Sequence, residues 1–281
     1  MSGSSDALCG SVLFVPNKIT RGALLPGRVP STYTAASFPK QLNWIRASKG
    51  NNGALALPHG DIPFLYFPVI NSVIKRPSFP LLVVMFHGNG TDIGEYTDHV
   101  QNFNAAGASV LLWELPGYGI CAGERTVANV NRYADAVMEY VVQEMQWPLA
   151  KVVLFGHSIG TGPAVDSAAK LAQRNLRVGG LILQSPYTST NTIGDDHAGS
   201  FASMMTEGWN SLDKMDQIHC PILLFHGQLD LLIQVSHAQA LLDAATHAPR
   251  KVLHIDPTAD HNTFQWDTMF AQTRTFLQSL Q

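Results

Sequence analysis

Ser158 lies at the centre of the pattern GHSIG, between two contrasting stretches of chain. The four residues before the pattern, 152–155, are apolar and two of them are β-branched, and the residues after it are small and have helical spacing. A GxSxG pattern between a strand and a helix is typical of a nucleophile elbow, a sharp turn that exposes the serine hydroxyl. At such a turn, side chains at Gly156 and Gly160 would clash with neighbouring backbone. The sequence therefore predicts that Ser158 is a nucleophile.

A serine nucleophile needs a base, and the base needs a carboxylate to orient it. In proteins with such an elbow, the order along the chain is serine, then acid, then histidine. Asp230 follows the apolar run 222–226 in the stretch HGQLD, and His261 follows the run 252–255 in the stretch DPTADHN. We therefore predict that Ser158, Asp230 and His261 are the catalytic residues.

Other acidic residues near these loops have alternative interpretations. Asp256 and Asp260 are nearer to His261 in sequence and are the competing candidates for the acid, although an aspartate so close usually caps its own loop. Asp195, Asp196 and His197 form a small cluster that resembles part of a metal site. Because no further ligands follow at a useful spacing, we interpret that cluster as a polar loop and predict no metal.

The turn HGNG directly follows the apolar run LLVVMF and can supply backbone donors for an oxyanion. We predict an oxyanion hole made by the amides of Asn89 and Ile159, with Gly90 as a lesser alternative to Asn89. Losing one such donor typically costs about 3 kcal/mol of transition-state stabilisation. His87 is expected to brace this turn rather than to titrate, and the side chain of His157 is expected to pack away from the site.

The elements that must position these residues alternate along the chain. Two hairpin-like strands followed by alternating strands and helices predict an α/β fold with a mostly parallel, doubly wound, eight-stranded sheet and helices on both faces. Active sites in such sheets lie beyond the carboxyl ends of the strands, which is where the predicted site residues fall. The predicted strands are 53–57, 62–70, 81–86, 109–114, 152–155, 181–184, 222–226 and 252–255, and the predicted helices are 93–106, 127–146, 159–173, 235–245 and 262–280.

The chain has 281 residues, of which 46% are hydrophobic, enough for one sizeable core. Residues 1–54 are rich in Pro, Gly, Ser and Thr and are predicted to form an extended arm, with residues 55–281 as a single domain. Residues 186–218 are expected to form a short cap. Its large apolar side chains either line an acyl-binding groove or pack onto the core; they are Tyr187, Phe201, Met204, Met205 and Trp209.

Composition restricts the partners and the compartment. Charged residues are 14% of the chain, the net charge is -3, and the 18 Lys and Arg residues are not clustered, which argues against nucleic acid binding. Neither an apolar run of about 18 residues nor a basic signal-peptide start is present. Three scattered cysteines predict reduced thiols in the cytoplasm. Cys9, beside the apolar residues 12–15, is either an S-acylation site or an ordinary thiol.

Together these motifs resemble those of α/β-hydrolases, and in particular the α/β-hydrolase domain-containing protein 17 group of depalmitoylating serine hydrolases and their Bem46-like relatives. From about residue 62 onward, the matching stretches are FHGNG with Asp92 after it, LPGYG, GHSIGTGPAVDSA, LQSPYTS, CPILLFHGQLD and DHN. The resemblance implies the α/β-hydrolase fold, a triad of Ser158, Asp230 and His261, no cofactor, and action on S-acylated cysteines of membrane-associated proteins.

Two features depart from that group. Its members carry a cysteine-rich, lipidated N-terminus, whereas Cys9 stands alone here, which weakens the expectation of peripheral membrane association. The stretch LLWELPGYG has Glu114 and Leu115 where those enzymes resemble YDYSGYG. The resemblance therefore predicts the fold more strongly than the substrate.

Three functions remain compatible with the sequence. The favoured one is hydrolysis of a carboxylic ester or thioester, on an acylated protein or a small acyl ester, through an acyl-enzyme. A peptidase would need an acidic group for the substrate ammonium, and the candidates are Glu114 and the pair Asp195 and Asp196. A non-catalytic binding protein would be expected to lose a residue of the triad, and this chain keeps all three.

Overall fold

Eight strands form one sheet in a computed structural model that describes residues 31–46, 60–69, 80–197 and 208–281. Across the sheet the order is β1-β2-β4-β3-β5-β6-β7-β8. The pairs β1 with β2 and β2 with β4 are antiparallel, and every other pair is parallel. The strands are β1 Leu42–Ile45, β2 Ile62–Phe67, β3 Leu81–Phe86, β4 Ala108–Trp113, β5 Val152–His157, β6 Gly180–Gln184, β7 Ile222–Gly227 and β8 Lys251–Asp256.

Helices cover both faces of this sheet, and alternate side chains of each central strand enter opposite cores. In β3, for example, Leu82 and Val84 belong to the core under three helices, α2, α3 and α5, whereas Val83 and Met85 belong to the core under α1 and α6. The predicted doubly wound architecture is therefore confirmed. The helices are α1 Thr97–Ala105, α2 Val127–Gln143, α3 Thr161–Gln173, α4 Thr190–His197, α5 Val235–Ala244 and α6 Trp266–Gln278.

The first strand lies in a different place from the one predicted. The predicted strand 53–57 falls outside the described residues, and β1 at Leu42–Ile45 pairs with β2 at the sheet edge. This strand lies within the segment 1–54 that was predicted to be an extended arm. It was missed because four residues, LNWI, are too few to establish a periodicity.

Helix boundaries differ from the prediction at several ends. Residues Ile93–Tyr96 form a 3-10 turn before α1. Helix α6 begins at Trp266 rather than at residue 262, because residues 257–265 form a loop capped by aspartates. Helix α4 was not predicted, and Asp195, Asp196 and His197 end this helix instead of lying in a loop. Within the described residues no cluster of metal-ligating side chains is present.

In the described parts of the predicted cap, 186–197 and 208–218, two of the five large apolar side chains are described, and both pack onto the core. Tyr187 and Trp209 are both buried against the start of α3, where a Cβ on Gly162 would lie 2.1 Å from the Tyr187 hydroxyl. The Trp209 indole donates to Oδ1 of Asn131 at 2.8 Å. Packing is therefore the correct interpretation for these two side chains. The other three named cap residues, Phe201, Met204 and Met205, lie outside the described residues.

None of the helices in the described ranges is long and apolar enough to cross a membrane. Cys121 and Cys220 are buried and neither forms a disulfide, whereas Cys9 lies outside those ranges. Burial raises the pKa of the Cys220 thiol to about 12, so that side chain stays protonated and behaves as a small apolar group.

Candidate active site

Ser158 lies on the turn between β5 and α3 and has a φ of 51°. This value is in the left-handed region of backbone conformations, which residues other than glycine rarely adopt. The flanking glycines make this turn possible. A Cβ on Gly156 would lie 2.7 Å from Cα of Thr161, and a Cβ on Gly160 would lie 2.2 Å from the backbone oxygen of Phe86. The elbow therefore packs directly against the end of β3, as the GxSxG pattern predicted.

We expect Gly160→Ala to lower the free energy of unfolding by about 3 kcal/mol, because the obstructing atoms belong to the backbone of a central strand that cannot move aside. Gly107→Ala is the matched comparison. That glycine has a φ of 84°, but its Cβ would meet nothing nearer than 3.5 Å, so only about 1 kcal/mol of backbone strain is expected. Urea unfolding of both variants measures the difference, and equal losses would contradict close packing as the reason for Gly160.

Ser158, His261 and Asp230 form a continuous hydrogen-bonded chain at the carboxyl edge of the sheet. Oγ of Ser158 lies 2.9 Å from Nε2 of His261, and Nδ1 of His261 lies 2.7 Å from Oδ2 of Asp230. All three side chains are buried. The structure thus brings together the three residues that the sequence predicted from three separate strand ends.

The carboxylate of Asp230 is held by the loop that follows β7. Its Oδ1 accepts the backbone N–H groups of Leu232 at 2.9 Å and Ile233 at 2.8 Å, and Nε2 of His226 lies 3.4 Å from Oδ2. Burial by itself would raise the pKa of Asp230, but hydrogen bonds from His226, His261 and the Ile233 amide outweigh burial and hold the pKa well below its usual range. Asp230 is therefore ionised and fixed in orientation.

The two competing acids cap their own loop. Oδ1 of Asp260 accepts the amides of Asn262 and Thr263, both at 2.8 Å. Oδ2 of Asp256 accepts the amide of Gln265 at 2.7 Å. These contacts explain the pattern of aspartates around His261 without a part in proton transfer.

The comparison with solved structures decides the fold. The chain superposes on the Pyrococcus furiosus esterase Pf2001 with a TM-score of 0.67 at 17% identity, covering 90% of this chain and 97% of the esterase. It superposes on the Paleococcus ferrophilus monoacylglycerol lipase with a TM-score of 0.60 at 17% identity, covering 78% and 99%. The chain has the α/β-hydrolase fold. At these identities the likeness concerns the fold alone.

Sequence comparisons agree with this fold. Residues 80–209 match the family model described as serine aminopeptidase, S33. The chain is 27% identical over 168 residues to the α/β-hydrolase domain-containing protein aho-3 of Caenorhabditis elegans, covering 59% of this chain and 48% of that protein. It is 26% identical over 170 residues to the α/β-hydrolase domain-containing protein 17B of Homo sapiens, covering 59% and 56%. The chain thus spans about half the length of these two relatives, and the resemblance to the protein 17 group is confirmed.

The HGNG turn is fixed by side chains on three sides. The hydroxyl of Tyr96 accepts the Gly88 amide at 2.8 Å, and Nδ1 of His87 donates to the Gly88 carbonyl at 2.8 Å. The Tyr118 hydroxyl donates to Oδ1 of Asn89 at 2.8 Å. Because Gly88 has its amide committed to Tyr96, the amide of the next residue, Asn89, remains our prediction for the oxyanion donor, together with that of Ile159.

His87 braces this turn from inside the core, in the role expected from the sequence. It is almost fully buried, and its Nε2 lies 2.7 Å from Oε1 of Glu114, which is also buried. Burial lowers the pKa of His87, but the neighbouring Glu114 carboxyl more than compensates and raises it. Glu114 is therefore the partner of a buried histidine and lies away from solvent.

His157 packs beside the site and is one of several residues whose contacts the sequence could not indicate. Its Nδ1 lies 2.8 Å from the Tyr96 hydroxyl, and its ring lies nearly parallel to that of His261, with 6.1 Å between ring centroids. Burial, followed by the nearby rings of His261 and His99, holds the pKa of His157 well below its usual range. Tyr118 and His226 lie within the quoted stretches LPGYG and HGQLD, but their contacts, like those of Tyr96, emerge only from the fold.

Proposed function

We propose that this α/β-hydrolase is a serine hydrolase that cleaves a carboxylic ester or thioester through an acyl-enzyme. The supporting observation is the hydrogen-bonded chain from Oγ of Ser158 through His261 to Asp230, at 2.9 Å and 2.7 Å. Nucleophile, base and orienting acid are each within hydrogen-bond reach of the next, which is the geometry that acyl transfer requires.

In the proposed reaction, Oγ of Ser158 attacks the acyl carbonyl while Nε2 of His261 takes the hydroxyl proton. The carbonyl oxygen becomes an oxyanion, which accepts hydrogen bonds from the amides of Asn89 and Ile159. The tetrahedral intermediate collapses to an acyl-serine as His261 returns the proton to the leaving alcohol or thiol. Asp230 accepts the Nδ1–H bond throughout and stabilises the imidazolium. A water molecule, activated in the same way, then releases the acid.

For the substrate we propose an acyl group on a cysteine of a membrane-associated protein, with a small acyl ester as the alternative. The support for the first is the resemblance to the depalmitoylating protein 17 group. This proposal implies action in the cytoplasm at a membrane surface, where the protein would associate peripherally. The support for the second comes from the esterase and lipase structures that share the fold.

A peptidase is the other activity to consider, because the matched family model is described as a serine aminopeptidase. An aminopeptidase needs a carboxylate that is accessible to the substrate ammonium. Glu114, one of the candidates, is buried beside His87 and cannot reach a bound peptide without breaking that pair. Burial of Glu114 removes one of the two candidate sites for a substrate ammonium, which supports ester or thioester substrates over a peptidase that uses this residue.

The test compares a long-chain S-acylated peptide with a short-chain oxygen ester, using the purified protein. We expect faster cleavage of the thioester and labelling by a fluorophosphonate probe. Cleavage of the short ester alone would assign the protein to small-substrate esterases. Release of N-terminal residues from peptides would favour the peptidase instead, and a protein that neither reacts with the probe nor hydrolyses any of these substrates would be a non-catalytic member of the fold.

A further inference from the structure

Gly88, the first glycine of the HGNG turn, has both of its backbone polar groups bonded to buried side chains. Its N–H donates to the Tyr96 hydroxyl, and its carbonyl accepts from Nδ1 of His87, each at 2.8 Å. From this arrangement we propose that Tyr96 and His87 are positioning residues that aim the Asn89 N–H at the oxyanion. This inference rests on the proposed function, since it concerns the donor that the reaction would use.

The role of His87 follows from the geometry of the peptide unit. The carbonyl of Gly88 and the N–H of Asn89 belong to one planar trans peptide, so they point in opposite directions. When His87 fixes the direction of that carbonyl, it also fixes the direction of the Asn89 N–H. Nε2 of His87 is itself anchored 2.7 Å from Glu114, so the brace extends from the oxyanion turn to the end of β4.

Tyr96 fixes the preceding peptide unit and connects it to the elbow. The Tyr96 oxygen accepts the Gly88 N–H, and the same hydroxyl forms a second hydrogen bond with Nδ1 of His157, which lies 2.8 Å away. His157 is the residue directly before Ser158, and a Cβ on Gly88 would lie 2.8 Å from its Nδ1. Tyr96 thus joins the oxyanion turn to the segment that carries the nucleophile.

The protonation states of these two side chains suit this arrangement. Burial raises the pKa of Tyr96 far above its usual value, so the hydroxyl keeps the hydrogen that it donates. The pKa of His157 is lowered, so its ring is neutral and one of its two nitrogens has a lone pair that can accept a hydrogen bond. Two hydrogen bonds therefore connect the oxyanion turn to His157, the residue directly before Ser158.

The first test is Tyr96→Phe, which keeps the ring and removes only the hydroxyl. We expect kcat for an ester substrate to fall about tenfold with KM changed less than about twofold, because misaiming a donor weakens the transition state more than the ground state. Hydrogen exchange at residues 88–89 should rise at the same time. Tyr133→Phe is the control, since that buried hydroxyl donates to the Ala122 carbonyl at 3.4 Å, outside the brace, and should leave kcat unchanged.

The second test compares His87→Asn with His87→Leu. The asparagine Nδ2 can occupy the place of the histidine Nδ1 and donate to Gly88, whereas leucine cannot. We expect the asparagine variant to retain at least about five times the kcat of the leucine variant at similar thermal stability. Equal kcat values for the two variants would overturn the role of His87.

Exchange of the 88–89 amides that is the same in Tyr96→Phe and wild type would overturn the role of Tyr96, and so would an unchanged kcat. The exchange measurement does not depend on turnover. A wild-type protein without Ser158-dependent hydrolysis would refute the proposed function, and the exchange data would still decide whether Tyr96 holds the turn.

Discussion

Ser158→Ala is expected to reduce ester or thioester turnover at least about 10⁴-fold, because it removes the atom that forms the acyl-enzyme. A remnant of activity above the uncatalysed rate is expected, since the backbone donors at Asn89 and Ile159 would still bind an oxyanion. The fold should not change greatly, because alanine is smaller than serine and fits the same backbone. Thermal unfolding is therefore expected to stay close to that of the wild type.

Ser167→Ala is the matched control for this substitution. Ser167 is also buried and lies on α3, further along the helix from the elbow. It should retain full turnover and full labelling by a fluorophosphonate, whereas Ser158→Ala should lose the label. If Ser158→Ala keeps most of its turnover, another residue is the nucleophile and the proposed mechanism is wrong.

The chain order of the three site residues could be predicted from sequence because each lies directly after a strongly apolar run. Strands β5, β7 and β8 are parallel neighbours or near neighbours in the sheet, so their carboxyl ends lie at the same edge. Knowledge of the strand ends was then enough to place Ser158, Asp230 and His261 together. Hydrogen-bond distances among them were beyond sequence reasoning, because they depend on the loops between strands and helices.

Residues that support the site were harder to find. Glu114 and His87 come from different strand ends, 27 positions apart in sequence, and their contact arises only because β3 and β4 are adjacent. From sequence, Glu114 was a candidate anchor for a substrate ammonium, and its burial beside His87 argues against that role. Tyr96 lies on a short 3-10 turn that was predicted as ordinary helix, so no pattern indicated that its hydroxyl reaches His157.

Helix α4 and the first strand could not be predicted for a different physical reason. Helix α4 has the sequence TNTIGDDH, in which polar residues and a glycine give little helical propensity, so local preference does not indicate a helix there. Strand β1 is an edge strand of four residues. It is stabilised by its pairing with β2 rather than by the strand propensity of its own sequence. Elements that depend on tertiary contacts are those for which local patterns fail.

Asp230→Asn should lower turnover by about 10⁴-fold, because an asparagine can donate to Nδ1 of His261 and so favour the tautomer whose Nε2 cannot accept the serine proton. The loss should appear in kcat while KM changes little. Asp260→Asn is the matched control at the competing acid, whose carboxylate is exposed and caps its own loop. We expect that variant to stay within a few-fold of wild type. If Asp260→Asn were the more damaging substitution, the acid would have been assigned wrongly.

The same variant tests the electrostatics of the site through stability. Because the pKa of Asp230 is lower in the folded protein than its ordinary value of 3.8, the ionised carboxylate stabilises the fold at pH values above about 4. That contribution is lost progressively as the pH falls through the lower, folded-state pKa. Asparagine cannot titrate, so the stability advantage of wild type over Asp230→Asn should be largest near neutral pH and should shrink below pH about 4. Urea unfolding of both proteins across this range measures the advantage. If the stability difference between wild type and Asp230→Asn is the same at every pH, the contacts with His226, His261 and Ile233 do not stabilise the charged form of Asp230.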